Sequence, residues 1–290
     1  MLNGLFVPQF TAFNKDNSVD YQGTKEHGAW LINNNVSGLV PFGTFGEGAS
    51  LSLREKERIT IDLLEIVKDK DLIPTLICNS LGEIFEYLDF AEDLPLSGIM
   101  VIPPSYFKNV SDQTLTDFYN QVTSRTRHKI IAYNIPACSL KISPKVAASV
   151  PVWGVKDSSG EIDSAQRYRN LGVRVLIGSD ALLTRALDIG ASGGICGIAN
   201  FFPRQMRQVY EDWNIGKKNE AVINLENLMN VVAPLLKSDS GFGGAIGALK
   251  TFAKEFIPTR VGDMRSPVET LRPTADAIAL ALSRAKEIKG

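Results

Sequence analysis

A lysine closes the short apolar run Val152-Trp153-Gly154-Val155-Lys156, and Asp157-Ser158-Ser159 follow it. An ammonium is costly to bury. A lysine held partly out of water gives up its proton more readily than one in solvent, and the neutral amine can attack a carbonyl carbon and form an imine. Lys156 is therefore a candidate nucleophile; the competing reading has it snorkelling to solvent or paired with Asp157. One apolar run earlier, Ile130-Ile131-Ala132-Tyr133-Asn134-Ile135-Pro136 carries a tyrosine. Its phenol could move a proton in carbinolamine dehydration or carbon–carbon cleavage, or it could be a core tyrosine bonded to backbone. A third stretch is Gly43-Thr44-Phe45-Gly46-Glu47-Gly48. Its glycines permit a sharp turn and close backbone approach, and successive N–H groups with the Thr44 hydroxyl could hold a carboxylate. A plain strand-to-helix turn is the alternative.

Other chemistries find less support. His27 and His128 are the only histidines, and no two of Cys78, Cys138 and Cys196 form a C-x-x-C pair. Acidic residues at the ends of apolar runs amount to Glu47, Asp157 and Asp180. No metal site and no cofactor is expected from that set. The glycines of 240–247 do not have dinucleotide-loop spacing, and no strand precedes them. The net charge is −1 and no long basic run occurs, so nucleic acid is not an expected partner. No apolar run reaches the length of a membrane span. The first ten residues lack a basic region and a small-residue cleavage site. The odd cysteine count argues against a disulfide framework, and the sequons at Asn35 and Asn109 are read as chance. A cytoplasmic location is the expectation.

Eight apolar runs bounded by Gly, Pro or Asn could position these residues: Gly4–Phe10, Gly38–Gly43, Leu72–Cys78, Gly98–Pro103, Lys129–Pro136, Val152–Asp157, Arg174–Gly178 and Gly193–Ala199. Most are continuous rather than alternating, as strands buried on both faces are. Helical segments lie between them. Ser52 caps a helix to Val67, with Glu55 completing a capping box and Ile59, Leu63 and Ile66 forming the apolar stripe. Ser111 opens another helix, and Ser143 precedes Pro144 at a first helical position. Eight alternating units predict a closed (β/α)₈ TIM barrel, with a doubly wound open sheet as the structural alternative. Residues 1–203 would carry the strands and most helices. The remainder, 204–290, reads as helices only, two or three more than the barrel needs, packed on it as part of one structural unit. In such a barrel the chemistry sits at the C-terminal strand ends, where Lys156, Tyr133 and Thr44 fall.

In this order and spacing, Gly43-Thr44-x-Gly46-Glu47, Tyr133-Asn134-x-Pro136, Gly154-Val155-Lys156-Asp157-Ser158-Ser159 and Gly178-Ser179-Asp180 resemble the N-acetylneuraminate lyase / dihydrodipicolinate synthase family of class I aldolases. The resemblance covers nearly the whole chain. It implies that Lys156 forms the imine with a 2-keto acid, that Tyr133 shuttles a proton, and that Thr44 with the amides of Phe45 and Gly46 binds the pyruvate carboxylate. Ser158, Gly178 and Asp180 would meet the distal part of the substrate. The glycines from Gly193 to Gly197 would let the eighth strand pack beside it. No cofactor, 2-keto acid and aldehyde partners, and a homotetramer are also implied.

Departures narrow the choice. Cys138 stands where dihydrodipicolinate synthases carry an arginine that grips a second carboxylate, which argues against that reaction. Phe45 replaces a second Thr or Ser. Phe107 lacks a hydroxyl, and Tyr106 has one, where many members send an aromatic hydroxyl into a neighbouring subunit's site. The remaining pattern is similar to archaeal 2-keto-3-deoxygluconate aldolases of the Entner–Doudoroff type, some of which take the 6-phosphate; Lys108 and Lys237 are candidate phosphate contacts. N-acetylneuraminate lyase is the alternative reaction, and a catalytically silent 2-keto-acid binder the non-enzymatic one.

Overall fold

The computed structural model describes residues 2–236, 241–266 and 273–288, with the side chains of 241–244 left aside. Nine parallel strands hydrogen-bond in the order β3-β2-β1-β9-β8-β7-β6-β5-β4. They are β1 (Gly4–Val7), β2 (Gly38–Leu39), β3 (Asp71–Leu72), β4 (Thr75–Leu76), β5 (Ile99–Val101), β6 (Ile130–Asn134), β7 (Gly154–Asp157), β8 (Val175–Ile177) and β9 (Gly193–Ile195). The two ends of that order are halves of one stave. Pro74 sits between β3 and β4 and has no N–H to give the ladder. Bonding nonetheless continues past it. The Ile73 N–H donates to the Leu39 carbonyl at 2.9 Å, and the Met100 N–H donates to the Pro74 carbonyl at 2.8 Å. The sheet therefore closes into a barrel of eight staves, and the open-sheet alternative falls.

Side chains alternate across the barrel wall. Phe6, Val40, Ile73, Met100, Ile131, Tyr133, Leu176 and Ile195 point inward and form one buried cluster. Leu5, Leu39, Leu72, Val101, Ala132, Val155 and Val175 point outward and join the larger core under the helices. Burial on both faces explains why the strands read as continuous apolar runs rather than alternations.

The helices that return the chain are α1 (Tyr21–Asn33), α2 (Leu53–Val67), α3 (Leu81–Ala91), α4 (Asp112–Ser124), α5 (Pro144–Ser149), α6 (Ile162–Asn170), α7 (Leu183–Asp188) and α8 (Pro203–Asn214). Three more follow: α9 (Lys218–Val232), α10 (Gly241–Phe256) and α11 (Ala275–Ile288). The starts of α2, α4 and α5 are set by Ser52, Ser111 and Ser143, whose hydroxyls accept the N–H groups of Glu55, Thr114 and Val146. Ser52 and Glu55 form the reciprocal box.

Strands end earlier than their apolar runs. The ladder of β9 stops at Ile195, and 197–200 turn into a short 3₁₀ helix. There the Asn200 side-chain amide donates to the carbonyls of Pro8 and Gly197 at 3.0 and 3.1 Å. The apolar tails of the runs bend out of the ladder to build the rim where a site can form. Replacing Ser52 with Ala removes the cap on α2; it should cost about 1 kcal/mol and lower the melting midpoint by about 2 °C. Calorimetry checks this.

Candidate active site

Parallel pairing sets Tyr133 of β6 beside Lys156 of β7. Both point into the barrel mouth, and both are buried, at 2% and 3% exposure. The Lys156 Nζ lies 4.1 Å from the centroid of the Tyr133 ring, whose negative π-face attracts a cation. The Tyr133 hydroxyl is 3.0 Å from Thr44 Oγ1. Asp157, next in sequence, faces the other way. Its carboxylate accepts bonds from the Asn134 side-chain amide at 2.8 Å and from the Ser159 N–H at 3.1 Å. Alternation along the strand thus separates Lys156 from its neighbouring acid, and the side chain does not reach bulk water.

A cavity of about 430 Å³ opens above this group. Thr44, Phe45, Tyr133, Lys156, Ser158, Gly178 and Asp180 all line it. A Cβ on Gly178 would stand 1.9 Å from Ser158 Oγ and 3.1 Å from Lys156 Cε, so only glycine leaves room for both side chains. Gly46 and Gly197 stand behind the wall. A Cβ on Gly46 would meet the Gln9 carbonyl at 2.8 Å, and one on Gly197 would strike the Phe45 ring at 2.3 Å. Phe45 is packed against Phe10, with ring centroids 5.8 Å apart. Lys108 is exposed on the loop carrying Tyr106 and Phe107 and does not line the cavity. Lys237 lies outside the described residues. A separate cavity of about 400 Å³ beside α4 holds none of the candidate residues. Among the described residues no three His, Cys, Asp or Glu side chains gather as metal ligands.

Asp180 follows β8 and opens partly to the cavity. Its Oδ1 accepts the Ile198 N–H at 2.9 Å. Enclosure by protein raises its pKa to about 6; bonds from the Ile198 and Gly197 amides and the Lys156 charge oppose that rise without cancelling it. It is an acid poised near neutrality inside a site.

Half of the cavity escaped the motif reading. Met229 of α9, Leu236, and Ala245, Ile246 and Leu249 of α10 line the same cavity as Ser158, Ser159 and Asp180 and make up its apolar part. The spacing of 245, 246 and 249 is that of one helical face, so that signal was present. Glu47, which closes the Gly43–Glu47 motif, is buried outside the cavity and pairs with Lys250 at 2.6 Å. No local pattern announces a partner that distant in sequence.

The dihydrodipicolinate synthetase family model matches residues 1–277. The chain belongs to that family. A 2-dehydro-3-deoxy-phosphogluconate/2-dehydro-3-deoxy-6-phosphogalactonate aldolase of Sulfurisphaera tokodaii is 26% identical over 290 residues, 98% of this chain and 97% of the relative. A 4-hydroxy-tetrahydrodipicolinate synthase of Methanococcus maripaludis is 27% identical over 228 residues, 76% and 78% of the two chains. The barrel superposes on a Sulfolobus sulfataricus 2-keto-3-deoxygluconate aldolase in complex with D-KDPG, with a TM-score of 0.88 at 23% identity, over 99% of this chain and 96% of that one. Family members with different reactions are thus about equally similar, and geometry must choose between substrates. No helix of the described residues is long and apolar enough to cross a membrane.

The shift at Asp180 makes a stability prediction. Its pKa is higher in the fold, about 6, than in the unfolded chain. The folded state therefore binds the proton more tightly, and stability is lost as pH rises through 6. Asp180→Asn should stabilise the protein by up to about 3 kcal/mol at pH 8, with the gain gone below pH 4. Urea melts at both pH values check this.

Proposed function

We propose that this chain is a cytoplasmic Schiff-base aldolase that reversibly cleaves 2-keto-3-deoxygluconate, or its 6-phosphate, to pyruvate and glyceraldehyde or its 3-phosphate. The observation that carries the reading is the buried Lys156 amine lying over the Tyr133 ring, with the Tyr133 hydroxyl bonded to Thr44. The neutral amine adds to the C2 carbonyl. Tyr133 gives its proton to the carbinolamine hydroxyl, which leaves as water, and an iminium remains on Lys156. The Tyr133 oxygen, now anionic and steadied by the Thr44 hydroxyl, takes the proton of the C4 hydroxyl. The C3–C4 bond breaks, its electron pair flows into the iminium, and the aldehyde departs. The proton returns to C3 of the enamine, and water releases pyruvate and restores the amine. Splitting one hard cleavage into such steps is what a covalent nucleophile offers. No cofactor is called for.

Thr44, with the amides of Phe45 and Gly46, would hold the carboxylate. Ser158 and Asp180, on the Gly178 side, would meet the hydroxyls of C4 to C6. Gly197 would act indirectly by seating Phe45. Cys138 and Ala137 follow Pro136 with no guanidinium to grip a second carboxylate, which supports a sugar acid over the semialdehyde of the synthases. Among the described residues Lys156 is the only cation in the cavity wall, which favours the unphosphorylated acid. Tyr106 and Phe107, 79% and 71% exposed, offer an apolar projection of the kind a homotetramer would cover.

Pyruvate and borohydride should leave a reduced adduct on Lys156, read by mass, and Lys156→Ala should form none. Wild type lacking the adduct would leave a silent 2-keto-acid binder as the surviving reading. Pyruvate release should be fast from 2-keto-3-deoxygluconate and slow from N-acetylneuraminate; the reverse order would establish the lyase alternative. Tyr133→Phe should still trap pyruvate while losing about 10²- to 10⁴-fold in cleavage rate.

A further inference from the structure

The loop carrying Thr44 does not hold its shape alone. Within it the Glu47 N–H donates to the Thr44 carbonyl at 3.1 Å and the Gly48 N–H to the Gly43 carbonyl at 3.1 Å. Glu47 nevertheless has φ of 52°, a left-handed conformation that a residue with a Cβ resists. Something outside the loop must keep it there. Lys250 of α10 is the group in place to do so. Its Nζ donates to Glu47 Oε1 at 2.6 Å and to the Thr11 carbonyl at 2.8 Å. The Thr11 hydroxyl in turn donates to the Gly46 carbonyl at 2.7 Å. The other Glu47 oxygen accepts the Arg265 N–H at 2.8 Å. One ammonium therefore fixes both Gly46 and Glu47, two and three residues from Thr44.

Stability is a poor explanation for this arrangement. The Glu47 and Lys250 side chains are each only 1% exposed, and burial pulls the Lys250 ammonium below its ordinary range against the Glu47 charge. A fully buried ion pair commonly contributes no more than apolar residues of the same volume, and what it can add is one specified geometry. The geometry specified here is that of the loop presenting Thr44 to Tyr133. Lys250 also follows directly on Leu249, which lines the cavity together with Ile246. The turn of helix that walls the site is the turn that clamps the loop.

We propose that Lys250 is a positioning residue for 2-keto-acid binding, holding Gly46 and Glu47 from the tail helix so that Thr44 and the adjoining amides meet the carboxylate. The proposal rests on the reading of Thr44 given under the proposed function. The test uses the full chain as Lys250→Met and as the double variant Glu47→Gln/Lys250→Met. The double variant leaves no unpaired buried charge and should melt close to wild type. Lys254→Met, on the same helix but paired at the surface with Asp263, is the control.

Borohydride trapping is titrated with pyruvate, and amide exchange is followed over residues 43–48. Both Lys250 variants should need about tenfold more pyruvate for half-trapping, equivalent to about 1.4 kcal/mol of binding. They should reach the wild-type extent of trapping at saturation and exchange faster at 43–48. The control should match wild type in all three. An unchanged half-saturation with unchanged exchange in the folded double variant overturns the proposal, as does a loss of saturated trapping without a change in half-saturation. Wild type that traps no pyruvate sinks the aldolase reading instead, and exchange at 43–48 alone then decides: faster supports the clamp, unchanged removes it.

Discussion

The Lys156 amine sits in a dry place, turned away from the carboxylate beside it in sequence, and much of the site follows from that arrangement. The strand wall sets it. Lys156 faces inward because β7 alternates and its register puts it beside Tyr133. The same alternation sends Asp157 outward to Asn134 and Ser159. One residue of slippage would exchange the two side chains and put a second acid in the site in place of the amine. The ladder to β6 and β8 is therefore chemical as well as architectural. The aromatic face of Tyr133 lies against the amine, with Nζ 4.1 Å from the ring centroid.

Around that centre two networks of buried polar groups hold the rim. His27 is held neutral by burial, its pKa lowered to about 4. It stacks between Phe10 and Trp30 and contacts Asn200 Oδ1 through Nε2 at 3.0 Å. Asn200 carries that contact to the carbonyls of Pro8 and Gly197. Glu47 and Lys250 do the same work next to it: Phe10 donates its N–H to Asn200, and the adjoining Thr11 carbonyl accepts from Lys250. Each network ties a strand-end loop to a helix distant in sequence. Satisfied buried networks of this kind fix one arrangement of a loop, whereas partly satisfied ones would cost several kcal/mol each.

These networks mark the boundary of what could be read from residues alone. The eight staves were legible because burial on both faces writes continuous apolar runs, and caps such as Ser52 with Glu55 are local. Lys156, Tyr133 and Thr44 were legible because each interrupts or ends an apolar run with a group that has a chemical use. Their convergence was only an expectation until the register set Tyr133 against Lys156. Pro74 splitting one stave was visible as a letter, but its effect depended on neighbours still bonding across it. The wall of α9 and α10 was hidden because Met229, Ile246 and Leu249 look like any core residues. The Glu47–Lys250 pair was hidden because a contact spanning the chain leaves no spacing to recognise.

The cavity's two halves come from different parts of the fold, and this bears on how one family can hold several reactions. The polar half, from Tyr133 through Lys156, Ser158 and Asp180, sits on strand ends whose positions the barrel ladder dictates. A change there moves Lys156. The apolar half sits on helices that pack on the barrel from outside, and its side chains can change size without disturbing a strand register. On the proposed reading, substrate choice can vary in the tail and in loop positions such as Phe45 and Cys138 while the imine chemistry stays on the strand ends. A synthase and a sugar-acid aldolase standing at 27% and 26% identity to this chain are what such a division of labour would produce. It also explains why the tail must be anchored to the rim: a wall free to drift in sequence still has to be held at a fixed distance from the amine.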